Sequence, residues 1–252
     1  VSITEISIVA FAGLCSGIIK NGVGVGSGIF LLPTLSLAFP AKVALSLGAP
    51  LMLASDVIGM RYYWKQWINT PELMRILLSA IPGLILGTIL LPIIPGKLFN
   101  LSVGIFGMFY AVGMLFPSFL PIVLLKKLFA VINVKYADKQ IYIYGAMGGV
   151  ATVLAHAGGL VWSLYLVTRN LDKRVFVATI VVMFFITNTY KTIAYMYIDM
   201  LTKDMLLSII PAIPFVFLGS YLGNLANKKL NNVLFRKLVL VTIFIVSLKM
   251  CF

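Results

Sequence analysis

Charge is scarce in this sequence. Of 252 residues, 11% are Asp, Glu, Lys or Arg, where a soluble domain averages about 25%, so an ordinary solvated surface is excluded. Acid is scarcer still, with 7 Asp and Glu against 20 Lys and Arg, and there is one histidine. Cys15 and Cys251 stand at opposite ends in apolar surroundings without C-x-x-C or ligand spacing, which argues against a disulfide framework or a metal site. A lone His with no convincing acid partner gives poor support to hydrolysis. The glycines near residue 25 miss the last Gly of G-x-G-x-x-G, and no Walker lysine follows. The expectation is therefore no enzyme and no cofactor. With no basic segment ahead of the first apolar run, no cleavable signal peptide is expected either.

What is abundant is apolar sequence. Hydrophobic residues make up 61% of the chain, and runs long enough to cross a bilayer cover 43–64, 76–95, 98–116, 175–198, 205–226 and 233–251. Two further runs, 3–39 and 141–168, are interrupted by glycine. The chain reads as an all-α, polytopic membrane protein. Its net charge of +13 sits mostly at span ends, which points to orientation in the membrane and to the headgroups of the lipid bilayer, not to nucleic acid.

Shifting the sequence by 132 residues lays its second half over its first. Gly13, Gly17 and Gly26 fall on Gly145, Gly149 and Gly158, Pro82 and Gly87 on Pro214 and Gly219, and Thr70-Pro71-Glu72 on Thr202-Lys203-Asp204. The punctuation predicts two repeats, 5–117 and 141–251, joined by a basic linker, 118–140. Each has a glycine-broken first helix followed by three transmembrane helices. If each broken segment crosses once, the assignable Lys and Arg divide nine against nine between the two sides. If each is a re-entrant hairpin, they divide fourteen against four, which makes the linker cytoplasmic, both termini external and the repeats inverted. The stretch 3–20 is long enough to cross most of the bilayer, which keeps a broken single span as the alternative.

Non-helical backbone at membrane depth needs a cavity, water or a protein partner, because unpaired N–H and C=O groups are costly in hydrocarbon. The first break, "NGVGVGSG" at 21–28, is preceded by Lys20, and its glycines would let a ligand approach backbone N–H groups at a half-helix N-terminus, a site suited to an anion. Lys20, Asn21, Gly22, Gly24, Gly26, Ser27 and Gly28 are the candidate substrate contacts here. The second break, "LAHAGG" at 154–159, adds His156, Gly158 and Gly159. A second polar layer follows in the next helix of each half, with Asp56 repeat-equivalent to Asn188 and with Lys191 one turn beyond Thr187. Asn188 and Lys191 complete the candidate binding set, and Asp56 and His156 are candidates to carry a coupling proton. Simpler readings stand beside these: glycines for close helix packing, Lys20 snorkelling to an interface, and Gly83, Gly87, Gly219 and Gly223 as a packing face.

The run "GLCSGIIKNGVGVGSGIFLLPTL", the later "PGLILG" and the degenerate second copy opening on "GAMGGV" together resemble the sulfite exporter TauE/SafE family of membrane permeases. The resemblance covers essentially the whole chain. It implies secondary transport of a small anion such as sulfite or an organosulfonate in a prokaryotic plasma membrane. Gly22 to Gly28, with Gly158 and Gly159, would be the residues most directly involved. A channel-like pathway, another sulfur-containing or carboxylate substrate, and a homodimer all stay open.

Overall fold

The computed structural model describes residues 3–23, 26–116 and 139–229, together with 241, 244, 245, 247, 248 and 251; these are helical or connecting segments, with no strand among them. The first half contains α1 (Ile3–Val23), α2 (Ser27–Leu35), α3 (Ala41–Tyr63), α4 (Thr70–Ile93) and α5 (Gly96–Leu115). The second contains α6 (Gln140–Ala155), α7 (Gly158–Val167), α8 (Lys173–Tyr197), α9 (Lys203–Ser208) and α10 (Ile213–Lys229). The linker 118–140, apart from its last two residues, and most of the run 233–251 lie outside the described residues.

Helix ends follow local chemistry. The Asn69 side chain accepts from the Glu72 N–H at 3.0 Å and opens α4 with Pro71 in its first turn, while Thr202 caps α9 by accepting from Met205 N–H at 3.3 Å. The run 205–226 reads as one span, yet its helix is interrupted by a 3-10 turn at Ile210–Ala212. Pro211 and Pro214 explain this, since each lacks the N–H that a continuous α-helix would use. Among the described residues five helical segments, Ile3–Gly22, Ala41–Tyr63, Thr70–Ile93, Arg174–Tyr197 and Lys203–Ala226, are long and apolar enough to span a membrane. Along α4, residues Leu78, Ile81, Ile85, Ile89 and Ile93 stay exposed, a face that suits lipid and not water.

The packing of the two halves corresponds. α1 packs along α10 as α6 packs along α4, α3 crosses α8 near the centre, and α2 and α7 fold back on α1 and α6. Glycine makes the two long contacts possible. A Cβ on Gly83 would lie 1.9 Å from the Ala146 carbonyl oxygen, and one on Gly219 would lie 2.1 Å from that of Leu14. Likewise Gly87 meets the Val150 carbonyl and Gly223 that of Ile18. The glycine pairs that pack alike are thus Gly83 with Gly219 and Gly87 with Gly223. That is one helical turn away from the gapless alignment, which set Gly87 on Gly219. The interruption at 209–212 accommodates that extra turn. Gly83→Ala should lower stability by about 1–3 kcal/mol, the usual cost of overpacking, whereas Gly96→Ala, with nothing within 4 Å of its Cβ position, should not. Thermal melts in detergent test the pair.

The ends of the helices locate the two faces. Ser79 of α4 donates to the Ile141 carbonyl at the start of α6 at 3.1 Å, and Tyr165, near the end of α7, donates to Glu72 at the start of α4 at 2.5 Å. Arg169 closes the same corner on Glu72 at 2.7 Å. α6 therefore starts, and α7 ends, at the same end of the bundle as the start of α4. Arg174, in the first turn of α8, bonds there to Gln66 and, at 3.2 Å, to the Tyr62 carbonyl. At the opposite end, Lys42 reaches the Pro92 carbonyl at 3.2 Å.

Candidate functional site

The apolar helices enclose a buried charged cluster. Lys20, in the last turn of α1, pairs with Asp56 of α3 at 2.6 Å, and both side chains are almost wholly buried. The ammonium also donates to the Met52 carbonyl at 3.2 Å and sits 4.8 Å above the ring of Phe184. Asn188 of α8 donates to the second Asp56 oxygen at 2.7 Å. Two residues 132 apart in sequence, Asp56 and Asn188, thus touch where α3 and α8 cross. One turn along α8, Lys191 lies fully buried, donating to the Thr152 carbonyl at 3.3 Å and contacting His156 Nδ1 at 2.7 Å.

His156 is held in one tautomer. Its Nε2 lies 3.0 Å from the Leu45 carbonyl, which can only accept, so Nε2 carries the hydrogen and Nδ1 is left to accept from Lys191. His156 ends α6 in the left-handed region (φ 52), so the chain turns sharply there before α7 begins. Two glycines admit it. A Cβ on Gly48 would stand 2.6 Å from Nε2, and one on Gly28 would stand 2.4 Å from the His156 carbonyl oxygen. Gly28, in the first turn of α2, thus lies against His156 at the end of α6. Gly26, at φ 96, supplies the turn before α2 that a residue with a side chain would adopt only under strain.

A second polar thread runs beside the cluster. Asn21 donates to Ser55 Oγ at 3.1 Å, and Ser55 and Ser220 hydroxyls lie 3.0 Å apart. Because Ser220 also donates to the Val216 carbonyl at 2.8 Å, the thread runs from α1 through α3 into α10. The open carbonyls at the ends of α1 and α6 are held in matching ways: Tyr63 OH donates to Asn21 O at 3.3 Å, and Tyr195 OH donates to Val153 O at 2.6 Å. Donor and acceptor are each 132 residues from their counterparts. Several buried polar atoms around the cluster, namely Asn21 Oδ1, Ser27 Oγ, Thr152 Oγ1 and Asn188 Oδ1, have no hydrogen-bond partner among the described residues. Such atoms are costly in an apolar interior, so this layer is suited to a polar guest.

A buried layer of cations, amides and hydroxyls is unusual chemistry for a lipid-facing helical bundle, and the sequence comparison agrees with it. A profile of the sulfite exporter TauE/SafE family matches residues 9–250. The chain belongs to that family. TauE/SafE is a family of sulfite exporter permeases, so this TauE/SafE chain is a multi-pass membrane protein of a transport family. Neither comparison with curated proteins nor comparison with solved structures gave a match.

In this TauE/SafE chain most of the residues singled out from sequence come together. Lys20, Asp56, His156, Asn188 and Lys191 form the cluster, Asn21 flanks it, and Gly28 lies against it. Gly158 and Gly159 allow α7 to close on Thr152 and on the Phe184 ring that underlies Lys20. Gly22 packs against Gly223 of α10, so its near neighbour is helix backbone. Gly24 lies outside the described residues. Lys20 does not snorkel outward, because Asp56 holds it inside. Thr152, Gly48, Ser220, Tyr63 and Tyr195 are site residues that sequence reading passed over. The repeat offset could have found three of them, since Thr152 is the counterpart of Lys20, and Tyr63 and Tyr195 are counterparts of each other.

Proposed function

We propose that this protein carries a small anion, sulfite or an organosulfonate, across a prokaryotic plasma membrane by alternating access around the buried cluster. The observation that carries this reading is Lys191. It lies in the apolar interior with no carboxylate within 4.0 Å among the described residues, and its partners are a carbonyl and an imidazole nitrogen at the second helix break. An ammonium has three donors, and two are used here. The cluster is closed on all sides, with Lys20, Asp56, His156, Asn188 and Lys191 at 2% exposure or less, so a passing ion requires rearrangement. That favours a carrier over a static channel.

The transport frame we infer is a pair of inverted repeats, 5–117 and 141–251, joined by a cytoplasmic linker at 118–140. Support comes from the matched packing of α1 on α10 and α6 on α4, from the paired Tyr63 and Tyr195 bonds, and from the start of α6 and the end of α7 lying at one end of the bundle. Arg169 and Arg174 meet the α3–α4 connection there, as a re-entrant second hairpin requires and a single crossing by 141–168 does not. Lys65→Cys and Asn170→Cys should therefore label from the same side of the membrane with an impermeant thiol reagent; labelling from opposite sides would refute the inverted arrangement.

Reconstituted protein should move labelled sulfite or sulfonate into liposomes with saturation. The paired change Gly26→Leu and Gly158→Leu should abolish this flux. The first forces a side chain onto a left-handed backbone, and the second drives a Cβ to 2.6 Å from that of Thr152. Full flux in that variant, with folding verified by gel filtration, would remove the two breaks from the pathway.

A further inference from the structure

The charges of the cluster can be summed, and the sum bears on which anions it accepts. Lys20 and Asp56 cancel at 2.6 Å, and Asn188 satisfies the other carboxylate oxygen without adding charge. His156 is fixed as a neutral acceptor at Nδ1, because Nε2 is committed to the Leu45 carbonyl. Among the described residues of the cluster, Lys191 alone is left to balance a guest, and it can balance one negative charge. Among the described residues the Thr152 hydroxyl, on the residue whose carbonyl binds Lys191, is buried without a partner and can donate to a guest.

We propose that this site is valence-selective: it takes a sulfur oxyanion bearing a single negative charge, such as a sulfonate or hydrogen sulfite, and rejects a dianion of similar size such as sulfate. The proposal rests on the reading of the cluster as the anion site. In water the second charge is solvated at little penalty. In a bundle core with one spare cation it stays unpaired, and burying an unpaired charge outweighs the hydrogen bonds that extra oxygens could make.

Methanesulfonate and sulfate are suitable probes, because both are compact and tetrahedral at sulfur and they differ by one charge at neutral pH. Calorimetric titration of the purified full chain, at matched ionic strength, should give methanesulfonate an affinity at least about tenfold above that of sulfate. Equal affinities, or tighter sulfate, would overturn the proposal while leaving the anion site standing. Binding of neither would overturn the anion site itself. A general preference for weakly hydrated ions would give the same order in the wild type, so a charge change separates the causes. Asp56→Asn keeps the shape and leaves Lys20 unbalanced, which raises the sum by one, and sulfate should then gain about tenfold or more relative to methanesulfonate. An unchanged ratio in folded Asp56→Asn protein would show that hydration, and not the site, sets the preference.

Discussion

Replacing Lys191 with Met should abolish saturable anion flux and reduce anion affinity by more than about hundredfold, with little change in thermal stability. The two halves of this expectation have different physical causes. An anion entering the cluster without its balancing cation remains unpaired, at a penalty of several kcal/mol per ion, and each 1.4 kcal/mol is about tenfold in affinity. Stability responds differently because the empty protein gains and loses. It no longer buries an ammonium that lacks a carboxylate partner, but His156 Nδ1 and the Thr152 carbonyl lose a donor. Those two lost bonds cost about 1–3 kcal/mol each, comparable to what removing a buried charge returns. Lys191→Arg should not restore the wild type, since a planar five-donor group does not fit a fully buried site shaped for a compact ammonium. Flux in liposomes and calorimetric binding in detergent are the two readouts. Retained affinity in a folded Lys191→Met protein would place the anion elsewhere.

Much of this architecture could be read from spacing alone. Apolar length placed α3, α4, α5 and α8 close to where they lie, because helix length in a membrane is a local property, and α6 ends and α7 starts within the stretch "LAHAGG". The repeat offset brought Asp56 opposite Asn188, and in the fold they touch at 2.7 Å. Which of the offset-related positions meet is set by how α3 crosses α8, which no alignment reveals.

The pairing of charges was not legible. Asp56 had two buried cations available, and it takes Lys20 and not Lys191. That choice depends on the rotation of α1 against α3 and on depth along each helix. Sequence spacing fixes neither. The role of Gly48 was hidden for a related reason: its neighbour is the ring of His156, 108 positions away, so nothing near it in sequence marks it. The slip of one turn between α4 and α10 was hidden because Pro211 reads as a mild kink in a continuous apolar run. In the structure it shortens α9 to Lys203–Ser208 and restarts the helix at Ile213.

The Lys20–Asp56 pair should show the largest stability effect in the protein, and it should be cooperative. Asp56→Leu leaves the Lys20 ammonium in a site with 1% exposure, holding, among the described residues, the Met52 carbonyl and the face of Phe184. Lys20→Met leaves the Asp56 carboxylate with one amide donor from Asn188. Breaking a buried pair from either side costs about 3–5 kcal/mol, because the orphaned charge keeps its desolvation penalty and loses its compensation. The double change Lys20→Met with Asp56→Leu removes both penalties. It should recover most of that loss, since apolar replacements of a buried pair are often near neutral. A denaturation cycle over the four proteins in mixed detergent measures the coupling, expected at about 3 kcal/mol or more in favour of keeping or removing the pair together. Additive single effects would mean that the two charges do not compensate each other, and the charge sum that assigns the spare cation to Lys191 would fail with them. Restored stability would carry a second consequence: because the pair contributes no net charge, the double variant should keep the preference for singly charged anions, although Asp56→Asn alone shifts it.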